Sequence, residues 1–416
     1  MRTDVVVVGA GFVGLYSAYR LKRAGYEVAL VAGGSLRRGA SWGNAGIIHQ
    51  GSTTTVPEIM GFWRVVRLAL RRGSYLSTSP VTALKESLPG GWIWRYAKSL
   101  RRELIAQRGR ILSGLVTESR DLWLETIRAE GLETELVEAG SLEAYFSEEL
   151  FLHESSVISA EAPSLGYRVE VIDGERCMEM EPLLERGVVG GLYYPDDLWV
   201  NPAKTLESLY QAVQRTGVRM VPEDADNLRD EGGRVRVRTR SEELEAEQAV
   251  VASGAWAGRM LSWARVRIPL AAGRGYLAVT EPTASRISRP TFYADEKIVI
   301  SQAAGGELRL TSYFELNDPD APLDRSKIRS MLEKARKIFP PLRGLRTLDE
   351  WVGSRPCLPD GLPVIGRLSE RSGIIVATGL CRLGLTLSTA TGRLVEGIVS
   401  GREDPILRHF SPQRFG

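Results

Sequence analysis

The stretch Asp4-Val5-Val6-Val7-Val8-Gly9-Ala10-Gly11-Phe12-Val13-Gly14 decides the fold. Its four consecutive valines read as a short strand buried on both faces, and the three glycines that follow are spaced G-x-G-x-x-G. Gly9 permits a tight turn, Gly11 lets backbone approach a ligand, and Gly14 lets the next helix pack closely on the strand. The N–H groups and positive dipole end of a helix starting near Gly11 suit a pyrophosphate. The context strengthens the motif: Leu15 to Ala24 is an amphipathic helix, Gly25 ends it, and Val28-Ala29-Leu30-Val31 reads as a second parallel strand. A dinucleotide site is expected, the alternative being a glycine-rich turn in another α/β fold. The acid that holds a ribose about 20 residues further on is missing, because Ala32 stands there, followed by Gly33 and Gly34. The ribose is then expected to be held by backbone, water or a later residue, and ordinary NAD binding is disfavoured.

At 416 residues the chain is long enough for two domains. Its net charge of +3 is too small to point to nucleic acid. Cys177, Cys357 and Cys381 have neither metal-like nor paired spacing, so buried thiols in a reducing compartment are expected. His49, His153 and His409 are too few for a histidine metal site or triad, and no metal is expected. With the first strand expected from Asp4, directly after Met1, no signal peptide is expected. No apolar run reaches the roughly 18 residues of a spanning helix.

Outward from the opening unit, residues 35–56 form a polar, glycine-rich connection whose Ser41-Trp42-Gly43-Asn44-Ala45-Gly46 allows close approach to a ligand or makes an ordinary flexible loop. From Pro57 to about Gly131 the pattern is helical. Between Pro57 and Arg110 eleven Lys or Arg face three Glu, interleaved with Trp63, Trp92 and Trp94. Such helices suit an anionic membrane surface or a solvated face with inward tryptophans. Leu115 to Ala129 is an acidic amphipathic helix. Residues 136–195 read as strands and turns. A helix from Ala203 to Thr216, a strand from Val218, a hairpin at Gly232-Gly233 and the apolar run 249–252 make a second α/β unit. Ser253-Gly254-Ala255-Trp256 offers a second close backbone approach, and residues 266–315 suit an antiparallel sheet. The end returns to the opening pattern, with a strand over 373–377, a turn over 378–384 and a helix to Ser400.

Four segments together resemble the D-amino-acid oxidase superfamily of flavoproteins, within it the D-amino-acid dehydrogenase and dye-linked proline dehydrogenase branch. They are the opening glycine unit, Ser41 to Gly46, Ser253 to Trp256, and Gly353-Ser354-Arg355-Pro356-Cys357-Leu358-Pro359-Asp360-Gly361-Leu362-Pro363-Val364-Ile365-Gly366 with the Thr378-Gly379 turn. The resemblance implies a Rossmann-like, discontinuous FAD-binding domain (1–56, 140–262 and 340–416) in an α/β fold. A second substrate domain, built on an antiparallel sheet and helices, takes 57–139 and 263–339. It implies FAD held by Gly9, Gly11, Phe12, Val13, Gly14, Ala32, Ser41, Asn44, Ala45, Gly46, Ile47, Gly254, Trp256, Arg355, Gly379, Leu383, Gly384, Leu385 and Thr386. Gly379-Leu380-Cys381 departs from the Gly-His that relatives often carry.

Arg355 matches the arginine that pairs with the substrate carboxylate in this superfamily, and a planar guanidinium suits that task. Tyr276 and His49 are further substrate candidates, each equally readable as core or surface; Arg274 is open between the two. The implied reaction is oxidation of the Cα–N bond of proline, hydroxyproline or a D-amino acid by hydride transfer to flavin N5, with electrons passing to a quinone or dye. The alternatives are a sarcosine- or glycine-type amine oxidase using O₂ and a flavin-carrying subunit of a larger complex. Cytoplasmic placement, with or without peripheral contact at the inner membrane face through the basic helices, is expected. So is a homo-oligomer or complex subunit without nucleic acid.

Overall fold

The computed structural model describes residues 3–51, 74–402 and 404–415. In chain order the elements that build the site are β1 (Thr3–Val8), α1 (Phe12–Arg23), β2 (Val28–Val31), α2 (Arg102–Glu130), β3 (Arg219–Val221), β4 (Glu243–Val251), β5 (Ala271–Pro282), β6 (Glu307–Leu316), β7 (Thr347–Cys357), β8 (Ile374–Thr378) and α3 (Ser388–Val399). Residues Phe62 to Arg72 of the basic insert lie outside the described residues.

Strands β8, β4, β1, β2 and β3 lie side by side in that order, all parallel. Val5 and Val7 join the core on one face and Val6 and Val8 the core on the other, which is why the run is apolar throughout and does not alternate. Helices α1, α2 and α3 cover the first face. Helices α1 and α3 cross where a Cβ on Gly392 would lie 2.6 Å from the Tyr16 ring, and Arg20 Nε donates to Glu396 Oε2 beside the crossing at 2.8 Å. Buried Trp123 of α2 meets Phe12 edge-on at 5.6 Å and donates its indole N–H to the Leu385 carbonyl at 3.0 Å. That ring therefore ties α2 to both glycine-rich turns.

The second sheet places β5 between β7 and β6, all antiparallel, and continues through Ile298–Gln302, Thr291–Tyr293, Ser141–Tyr145, Gly190–Tyr194 and Glu170–Asp173. Three strands between residues 141 and 194, grouped by sequence with the nucleotide unit, thus join this sheet, as does β7. Short strands carry no sequence mark of the sheet that receives them. Glu148–Leu165 is a helix where strands and turns were expected. Ser147 caps it by accepting the Leu150 N–H, and Pro163 near its end obscures the helical pattern. Leu76–Thr78 is a strand inside the segment expected to be helical, paired parallel with the end of β6.

The expectation for the cysteines is also overturned. Cys357 and Cys381 form a disulfide with Cα atoms 4.5 Å apart, leaving buried Cys177 as the free thiol. Their separation of 24 residues carries no pairing signal; the end of β7 and the turn after β8 meet only in the fold, where Cys357 also bridges to Leu380. The denatured, unreduced protein should therefore react with one equivalent of a thiol reagent at Cys177, and after reduction with three. Three equivalents without reductant would contradict the bond. Trp123→Ala should lower unfolding stability by about 3–5 kcal/mol, read from urea denaturation.

Candidate active site

The site grows from the turn between β1 and α1. Gly9 has φ 115°, and a Cβ there would lie 2.5 Å from the Ala252 carbonyl oxygen at the end of β4. A Cβ on Gly14 would lie 1.8 Å from the Gly9 oxygen, so strand and helix touch through bare backbone. The Ser41 hydroxyl accepts the Phe12 N–H at 3.1 Å and brings the second glycine-rich loop against the start of α1. Within that loop Asn44 Nδ2 donates to the Ser41 carbonyl at 2.9 Å while its Oδ1 accepts the Gly46 N–H at 2.8 Å, which fixes the turn. The third approach is pinned by Thr378, whose hydroxyl donates to the Gly254 carbonyl at 3.0 Å.

These loops line one cavity of about 720 Å³ that runs between the two sheets, within the roughly 300–1,000 Å³ usual for ligand sites. Gly9, Gly11, Phe12, Val13, Ala32, Ser41, Asn44, Ala45, Gly46, Ile47, Gly254, Trp256, Arg355, Gly384 and Leu385 all face it, with Tyr276. Gly14, Gly379, Leu383 and Thr386, also expected at the cofactor, are not among the residues that line it. Helix α3 starts only at Ser388, so the turn before it is longer than the sequence suggests. Where a ribose acid is absent at Ala32, a carboxylate arrives from elsewhere: Asp224 packs against Gly33 and pairs with Arg38 at 3.0 Å. The Arg38 guanidinium lies 4.9 Å from the Trp256 ring centre. The floor of exposed backbone, the bare glycines and this polar end fit a dinucleotide such as FAD.

At the second sheet, Arg355 of β7 crosses to β5 and lies flat on Gly275, where a Cβ would be 2.2 Å from its Nη2. Its Nη1 donates to the Tyr313 carbonyl at 3.0 Å; Tyr313 has φ 71° beside an irregularity in the β5–β6 pairing. Burial, with the charge of Arg382 added, pulls the guanidinium down to about 10. Tyr276 borders the cavity at the residue level, but its ring is buried in the core of the second sheet and its hydroxyl donates to Glu315 at 2.6 Å. Burial and that bond push the phenol well above its usual value, so it stays protonated. Arg274 is structural, with Nη2 on the Ala321 and Pro322 carbonyls and Nη1 on Glu315. His49 is outside the cavity lining; its Nδ1 pairs with Asp197 at 2.5 Å.

Sequence reasoning missed Asp224, Arg38, Trp351 and Arg382, all of which face the cavity. Trp351 lies over both Gly43 and Gly353, a contact that those two glycines make room for. In the basic insert, the Trp92 indole donates to the Cys357 carbonyl at 2.9 Å and stacks on Tyr96. Among the described residues no helix is long and apolar enough to cross a membrane, and no cluster of metal-ligating side chains occurs.

Comparison with known proteins agrees with this geometry. The family profile described as FAD dependent oxidoreductase (DAO) matches residues 4–397. The chain is 29% identical to a D-amino acid dehydrogenase of Rhizobium johnstonii, covering 99% of this chain and 100% of that one. It is 28% identical to a D-amino-acid oxidase of Bradyrhizobium diazoefficiens, over 99% and 98%. Among solved structures, glycine oxidase from Geobacillus kaustophilus shares the fold with a TM-score of 0.80 at 23% identity, over 99% of each chain. L-proline dehydrogenase from P. horikoshii does so with a TM-score of 0.74 at 18% identity, over 100% and 98%. With its bare-backbone turn, the two supporting loops and a family pattern that spans nearly the whole sequence, this chain belongs to the DAO family of FAD-dependent oxidoreductases.

Proposed function

We propose that the enzyme is a dehydrogenase that oxidises the Cα–N bond of an amino acid bound through its carboxylate to Arg355, and passes the electrons to a quinone or dye. The observation that carries this reading is the setting of Arg355, a cation at the cavity wall whose partners are the carbonyls of Tyr313 and Gly273. Such a guanidinium gains most from an incoming carboxylate, which it can grip with two parallel hydrogen bonds. The relatives' names, which specify D-amino acids, glycine or proline as substrates, support the same class.

FAD, when bound, supplies the hydride acceptor for this chemistry. The chain's own residues bind and orient. Arg355 fixes the carboxylate and thereby the direction of Cα–H, while Pro356 walls the same end of the cavity. No histidine lines this end among the described residues, in keeping with a reaction that needs position more than an acid–base pair. A primary amine so oxidised hydrolyses to a 2-oxo acid and ammonia; proline gives a pyrroline carboxylate.

Anaerobic mixing of the flavin-loaded protein with D- and L-proline, hydroxyproline, D-alanine, glycine and sarcosine should bleach the flavin with at least one of them. Arg355→Met should raise KM for that substrate by about 100-fold with FAD still bound, and unchanged kinetics would remove Arg355 from the site. Stoichiometric peroxide in air would make the enzyme an oxidase, and absence of bleaching by every amino acid would favour a flavin-carrying subunit.

A further inference from the structure

The end of β2 carries no acid, but the strand beside it brings one to the same place. Strands β2 and β3 run parallel with Val31 opposite Val221, and the Ala32 N–H donates to the Val221 carbonyl at 3.0 Å. Ala32-Gly33-Gly34 and Pro222-Glu223-Asp224 therefore leave the sheet side by side at its carboxyl edge, where open α/β sheets bind nucleotides. Ala32, Gly33, Gly34, Pro222 and Asp224 all line the cavity. Gly33 makes the meeting possible. A Cβ on it would lie 2.8 Å from Asp224 Cγ and closer still to the Asp224 backbone nitrogen, so a side chain at position 33 would push that loop outwards.

Three acids follow β3, and two of them are engaged elsewhere. Glu223 is outside the cavity lining and accepts the Ser241 N–H at 3.0 Å. Asp226 reaches the lining, but its Oδ1 accepts from Arg238 Nε at 2.7 Å. Asp224 is paired inside the cavity, where its Oδ2 accepts from Arg38 Nη1 at 3.0 Å. Arg38 lies over the Trp256 ring, whose indole N–H donates to Asp320 at 2.9 Å. This contact occupies one oxygen of Asp224 and leaves Oδ1, and a carboxylate has about four acceptor positions in all. Ala225, Met260 and Trp263, which share one apolar cluster, line the cavity as well. An acceptor for hydroxyls and an apolar wall for a flat base are the two things that an adenosine needs.

We infer that Asp224 is the ribose anchor of this flavoprotein, accepting through Oδ1 the hydroxyls of the adenosine ribose of FAD, the 2′-OH among them. It does from the end of β3 what an acid at the end of β2 does where one is present. The two departures at the end of β2 then have one explanation: Ala32 can lack a carboxylate because Gly33 admits another one beside it. The inference rests on the cavity as an FAD site and is independent of which amino acid is oxidised.

The test is ligand binding to the full-length chain freed of flavin, with FAD and FMN followed by flavin fluorescence and ADP and 2′-deoxy-ADP by competition with FAD. Asp224→Ala should raise the Kd for FAD and for ADP by about 10-fold, and should leave FMN, which lacks the adenosine half, unaffected. The wild type should bind ADP about 10-fold more tightly than 2′-deoxy-ADP, and Asp224→Ala should bind the two alike. Ala32→Glu, added to Asp224→Ala, should recover much of that preference by placing an acid at the end of β2. Unchanged FAD affinity in Asp224→Ala, or a preference for ADP over 2′-deoxy-ADP that survives the substitution, would overturn the inference. An equal loss of FMN binding would overturn it too, because the effect would then not belong to the adenosine half.

Discussion

Helix α1 starts where Gly14 meets the carbonyl oxygen of Gly9, with no space for a Cβ between them, while Gly9 itself sits against the end of β4. Three chain segments approach through backbone alone, and the site depends on that approach. It brings the first turn of α1 over the ends of the parallel strands, so that its N–H groups and dipole face the cavity. Ser41 extends the same floor by accepting the Phe12 N–H. Trp123 and Leu385 close it from behind. A side chain at Gly9 or Gly14 would force the helix away from the sheet and displace each of these partners in turn.

The opposite wall has a different physical basis. Arg355 is held by a bare backbone position, Gly275, and by a carbonyl that the unusual conformation of Tyr313 aims at it. The β5–β7 pairing carries it to the cavity, and the bond between Cys357 and Cys381 joins its strand to the turn that precedes α3. The nucleotide-type sheet and the antiparallel sheet are thus tied together beside Arg355 at the cavity wall. Glu315 gathers Arg274, Lys327 and the Tyr276 hydroxyl below this wall, which keeps the tyrosine structural and its ring fixed.

The opening unit was legible because its physics is local: a buried run, a turn that needs glycines and a helix follow one another within about 30 residues. The place of Arg355 at the cavity wall was legible through a long, specific motif. What the sequence concealed was long-range. Asp224 reaches the space near Ala32 from a loop after β3, and no spacing connects the two positions. Arg382 reaches the cavity only once the turn after β8 lies against β7, and the cysteines pair only once those segments meet. His49 shows the converse, a polar residue next to a cofactor loop that the fold turns towards Asp197. The strands of residues 141–194 show that alternation reveals a strand without revealing its sheet.

The most direct measurement is the FAD dissociation constant of Gly14→Ala, followed by flavin fluorescence with circular dichroism as a check on folding. Contact between the new methyl and the Gly9 carbonyl should weaken FAD by about 10- to 100-fold while the secondary structure persists. A folded Gly14→Ala protein that binds FAD as tightly as the wild type would contradict a site organised by that backbone contact.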